Sequence, residues 1–202
     1  PLLELPHRGL RPEEVALVVN DADPLSREIG AYYQAQRKIP SANVIHVSFP
    51  FNRSGLKAEE FEHIKTEVDA RTPRHVQGYA LAWYKPYKVA CMSITTAMAA
   101  GFNRAFCATG CKTTRRSPYF DSDSRTPFDD FGMRPAMLLA GLDFERAKQL
   151  IDRGIRSDYT HPTAKGYLVN TGKHGHGRNV RAAMFPALAE GKGLPPELPF
   201  DL

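Results

Sequence analysis

No stretch of this chain approaches the run of about 20 consecutive apolar residues that a membrane-spanning helix needs, although 42% of its 202 residues are apolar. The beginning, Pro1-Leu-Leu-Glu-Leu-Pro-His-Arg8, lacks a basic segment followed by a long apolar one, so it does not read as a signal peptide. Charge of one sign is also scarce. The formal net charge is +5, and acids are interleaved with bases along most of the sequence. The local cluster Lys112, Arg115 and Arg116 near Tyr119 and Phe120 is not the basic stripe that nucleic-acid binding requires, so no nucleic-acid partner is expected. Among motifs, the Walker loop, G-x-G-x-x-G, G-x-S-x-G and H-E-x-x-H are all missing, which leaves no cofactor implied.

Cysteine is sparse: Cys91, Cys107 and Cys111. None of them forms the C-x-x-C pair of zinc ribbons or thioredoxin-like sites. Cys107-Ala-Thr-Gly-Cys111 is spaced to close a small disulfide loop, with glycine permitting the turn, and one cysteine would then be left over. Three reduced cysteines fit the sequence as well, so cysteine usage alone does not fix the compartment.

What is present is a repeating β-α rhythm. Val15–Val19 is a continuous apolar run, expected as a strand buried on both faces. Asp23-Pro24 supplies a cap and a first-turn proline, and Leu25, Ile29 and Tyr32 recur at helical spacing until Ile39-Pro40. Val44–Val47 is the second strand. Ser54-Gly55 is expected to open a second helix with Phe61, Ile64 and Val68 on one face, ending at Thr72-Pro73. Gly78–Trp83 is the third strand. Two such units in succession predict an α/β fold with a mostly parallel, doubly wound, Rossmann-like sheet flanked by helices.

Residues 84–132 break the rhythm with a polar, Ser- and Thr-rich excursion, in which one short helix is expected at Ile94–Ala100 with Ser93 as cap and Gly101 as stop. The pattern resumes with a strand at Pro135–Ala140 and a helix capped by Asp143 and ended by Gly154. A fifth strand is expected at Gly166–Val169, then a glycine-rich loop Gly172–Gly177 and a helix capped by Asn179. Residues 1–190 therefore read as one domain, and 191–202 as a Pro- and Gly-rich tail.

Ligands of open parallel sheets bind beyond the carboxyl ends of the strands. The candidate crevice residues are Asp21, Asp23, Tyr84, Lys85, Ser93 and Thr171. Asp21 and Asp23 beside a lysine suit acid–base work or a cation, but plain capping of the helix that follows is the favoured reading. His174 and His176 are half a zinc site without a further ligand at a telling spacing, so no metal is assigned. The Asp121–Arg125 run fails as a calcium loop, because Arg125 stands where an oxygen is needed.

Several phrases carry a family resemblance: Val18–Ser26, Tyr32-Tyr33 with Arg37–Pro40, Cys91–Thr96, Arg134–Ala140 and Ala147–Ile155. Together they resemble a bacterial family, without an assigned activity, found in genomes that encode the exosortase protein-sorting system. The resemblance covers nearly all of the chain. It implies an exported, periplasmic or extracellular protein, with protein partners in the cell envelope and no membrane span of its own. The order of elements is also similar to the front half of gingipain- and caspase-type domains, a fold-level likeness only. Members of the family continue past the point where this sequence ends, with an Asp-His segment suited to the clan-type histidine. Two expectations follow: a non-catalytic binding or assembly module, or the scaffold half of a gingipain/caspase-like hydrolase whose active site lies beyond Leu202. No catalytic residue carries over to this chain.

Overall fold

A computed structural model describes residues 9–107 and 113–160. The chain divides into two units, Pro1–Arg156 and Ser157–Leu202. The first holds a central sheet of four parallel strands: β1 (Val15–Asn20), β2 (Val44–Val47), β4 (Gly78–Leu81) and β7 (Ala136–Leu138). Their spatial order is β2-β1-β4-β7, and every neighbouring pair is parallel. A second, small sheet joins β3 (Gly55–Leu56), β5 (Lys88–Val89) and β6 (Met92–Ser93). Helices α1 (Pro24–Arg37), α2 (Ala58–Arg71), α3 (Ile94–Ala100), α4 (Pro127–Phe131) and α5 (Phe144–Ser157) complete the described elements. Among the described residues no helix is long and apolar enough to cross a membrane.

Alternation along the strands divides the core into two layers. Leu17, Val19, Ala80 and Ala82 pack with Ile29 and Tyr33 of α1 and with Ala147 and Ile151 of α5. Ala16, Val18, Tyr79 and Leu81 pack with Phe61 and Val68 of α2 and with Ala97 and Met98 of α3. Helices thus cover both faces, which confirms the doubly wound α/β arrangement. It also explains why β1 and β4 read as unbroken apolar runs.

Local signals fixed most boundaries. Asp23 Oδ1 accepts from the Leu25 N–H at 3.0 Å, and Pro24 occupies the first helical position. At the other end Lys38 turns left-handed (φ 55°), and the Ile39 N–H returns to the Gln34 carbonyl. Gly30 lets α1 lie close on β1: a Cβ there would stand 2.7 Å from Val19 Cγ2.

Two expected boundaries are corrected. Ser54-Gly55 does not open α2, because Gly55-Leu56 pairs with Lys88-Val89 as β3. The helix starts at Ala58, where the Glu60 carboxylate accepts the Lys57 N–H at 2.8 Å and so caps the first turn. Nor does Gly154 end α5, which continues to Ser157. A Cβ at Gly154 would meet only the end of the Arg37 side chain, at an ordinary contact distance of 3.4 Å. The described part of the 84–132 excursion is more ordered than its composition suggests. It carries β5, β6, α3, a 3-10 turn at Arg104–Phe106 and α4. The expected strand at Gly166–Val169, the loop 172–177, the helix after Asn179 and the 191–202 tail lie outside the described residues.

Candidate functional site

The chain leaves β1 toward β2 through α1 on one face of the sheet, and leaves β4 toward β7 through α3 on the other. Helices diverging to opposite faces make the carboxyl ends of β1 and β4 the switch point of the sheet, where such folds are expected to hold a ligand in a crevice. Its walls are the turn after β1 and the segment after β4.

Asn20, the last residue of β1, is fully buried and braces the first wall. Its Nδ2 donates to the Phe49 carbonyl at 2.9 Å, and its Oδ1 accepts from the Phe49 N–H at 3.1 Å and the Ala22 N–H at 3.2 Å. One amide thus ties the turn after β1 to the loop after β2. Asp23 faces back into the protein as the α1 cap, leaving it little freedom to meet a ligand. Asp21 does not cap. Its Oδ1 lies 2.7 Å from His46 Nδ1, with the two side chains 46% and 56% exposed.

The second wall rests on Trp83. Its indole is buried, donates Nε1–H to the Pro86 carbonyl at 2.9 Å, and meets Phe49 edge-to-face at 5.2 Å. The Lys85–Pro86 peptide is cis. Tyr84 and Lys85 are half-buried above it, with the Lys85 ammonium 5.5 Å from the Tyr84 ring centre. Among the described residues neither a hydrogen bond nor an ion pair joins Asp21 to Lys85.

Of the residues expected to line the crevice, then, Asp21, Tyr84 and Lys85 stand at its two walls and Asp23 serves as a cap. Ser93 belongs to the small sheet, where its Oγ accepts the Thr96 N–H at 3.1 Å and caps α3, so capping is its visible role. Thr171, His174 and His176 lie outside the described residues. The residue missed was His46. The only signal for it was a single polar position inside the apolar run Val44–Val47, on the edge strand β2. A carboxylate on Nδ1 holds the imidazole in one orientation and leaves Nε2 for a ligand. Among the described residues, no group of three or more His, Cys, Asp or Glu could hold a metal.

A groove of about 250 Å³ opens beside this edge, between α2 and the loop after β2. Phe49, Leu56 and Ile64 are on its apolar side, and Arg53, Glu60, His63 and Glu67 are among its polar groups. Arg53 Nη2 pairs with Glu60 at 2.8 Å, and its buried Nε has no hydrogen-bond partner. The Lys57 N–H and the Arg53 guanidinium hold the Glu60 carboxyl below its usual pKa.

The cysteine pairing differs from the expected one. Cys107 is joined to Cys91, with Cα atoms 5.6 Å apart, and not to Cys111, which lies outside the described residues. The four-residue spacing to Cys111 looked suited to a turn, but the tight hairpin of β5 and β6 carries Cys91 to the end of the 3-10 turn at Arg104–Phe106. The bridge fastens the small sheet to the segment after α3.

Against protein-family models, curated proteins and solved structures, the chain finds no match in any of the three comparisons.

Proposed function

We propose that this chain is an exported, non-catalytic binding or assembly module of the bacterial cell envelope, recognising a protein partner at the crevice between β1 and β4. The Cys91–Cys107 disulfide carries the reading. Structural disulfides persist in oxidising compartments such as the periplasm or the extracellular space. Asp21, His46, Tyr84 and Lys85 offer such a partner a carboxylate, an oriented imidazole and a cation stacked on an aromatic ring. The resemblance to the exosortase-associated family points to the same compartment.

The disulfide also weighs on the hydrolase alternative, since it removes Cys91 and Cys107 from the nucleophiles that reading could use. Iodoacetamide labelling of the native protein tests the two. The module reading predicts that Cys91 and Cys107 label only after reduction, with Cys111 reacting at the rate of an ordinary thiol. Rapid selective labelling of Cys111 would favour the hydrolase.

A further inference from the structure

The groove between α2 and the loop after β2 is lined wholly by residues 48–67. Its ion pairs are incomplete. Glu60 Oε2 accepts the Lys57 N–H at 2.8 Å as the cap of α2, which leaves Oε1 for Arg53 Nη2, also at 2.8 Å. The carboxylate therefore meets the guanidinium through one oxygen, and the Arg53 Nε–H is left without an acceptor. A buried N–H in that state costs the free energy of its lost hydration. With 35% of its side chain exposed, Arg53 has the freedom to turn that donor toward an acceptor in the groove. Two turns of α2 separate Glu60 from Glu67, so both share a face with Ile64. Glu67 meets Arg71 Nη2 through Oε1 at 3.0 Å.

Charge and size select the class of ligand. Arg53 and Arg71 balance the two carboxylates, so these pairs carry no net charge. A bare anion on Arg53 would also face Glu60 and Glu67. A bare cation would leave the Arg53 Nε–H unsatisfied. A wholly apolar ligand would strip water from the ion pairs and return no hydrogen bond. A small zwitterion with an apolar side chain answers each of these features. The volume of about 250 Å³ falls below the roughly 300–1,000 Å³ of sites for drug-sized ligands, which leaves room for one such molecule and not for a peptide.

We propose that this groove binds a free aliphatic α-amino acid. The α-carboxylate meets Arg53, the α-ammonium meets Glu60 and Glu67, and the side chain lies over Phe49, Leu56 and Ile64. This goes beyond the module reading, which places a protein partner at the β1–β4 crevice.

The test titrates the oxidised full chain with L-leucine and follows the backbone amides by NMR. L-leucine should shift Phe49, Arg53, Leu56 and Ile64 saturably, with a Kd on the order of 1 mM for so small a ligand. Two analogues carry one charge each: 4-methylpentanoate lacks the ammonium, and 3-methylbutylamine lacks the carboxylate. Each should bind about tenfold more weakly than L-leucine, and glycine, with no side chain to bury, should not saturate. Arg53→Gln should weaken L-leucine about tenfold. Glu67→Gln, at an exposed position of α2, should weaken it about threefold to fivefold and leave the rest of the spectrum unchanged. The analogues and Glu67→Gln decide the matter even if Arg53→Gln does not fold. Absence of a saturable shift up to about 20 mM overturns the proposal. So do shifts centred outside residues 48–67, or a single-charge analogue that binds as tightly as L-leucine. None of these outcomes touches the module reading, which stands on the cysteines.

Discussion

Asn20 shows how much one side chain can fix. It closes three hydrogen bonds at the end of β1 with no exposure to solvent. Asn20→Ala would strand the Phe49 N–H and carbonyl in the interior, and should cost about 3 kcal/mol in urea or thermal unfolding. Asp21, with its side chain about half-exposed, is the contrasting case. Asp21→Asn and Lys85→Gln should each leave stability within about 0.5 kcal/mol of wild type. Larger losses in the same unfolding measurements would mean that both residues hold the fold together rather than face a ligand. Tyr79 supplies a pH-dependent test. Burial raises its phenol to about 12, and its hydroxyl donates to Asp69 at 2.8 Å. The folded state therefore keeps a proton that the unfolded chain releases near pH 10, so stability must fall as pH rises between about 10 and 12. By pH 11 wild type should lose about 1 kcal/mol relative to Tyr79→Phe, read as the change in their stability difference from pH 9.

Elements here are set by close approaches and by one cross-link. Gly30→Ala would press a Cβ into the stiff, buried Val19 and should destabilise by about 1–3 kcal/mol, measured as a lowered Tm. The disulfide closes a sequence separation of 16 residues. Cys91→Ala should lower stability by about 3 kcal/mol on loop-closure grounds, with an effect on denaturant unfolding comparable to that of reducing the wild-type protein. The elements legible in sequence were those with strong local signals. β1, β2 and β4 are apolar runs, α1 has its Asp23-Pro24 start, and α3 has its Ser93 cap and Gly101 stop. β3, β5 and β6 are two residues each and exist only through mutual pairing, so nothing in a local window announces them. The start of α2 was obscured for the same reason, because Gly55 is claimed by a strand pairing with Lys88.

At the scale of the molecule, the β-α rhythm was enough to give the parallel sheet, since each βα unit hides its apolar face only by stacking beside another. Placement of the crevice was half legible. Strand ends nominated Asp21, Tyr84 and Lys85, but the Asp21–His46 contact depends on β2 lying beside β1, a register not readable along the chain. The cysteine pairing was illegible for a similar reason: proximity in sequence favoured Cys111, and the folding of the hairpin chose Cys91. That pairing now carries the functional account, so it is the thing to measure. Cells of the native source would be quenched in acid and their free thiols blocked, then the protein reduced, labelled with a second reagent and its peptides weighed. An exported module predicts the second label on both Cys91 and Cys107. The first label on both would place the chain in a reducing compartment and contradict the account.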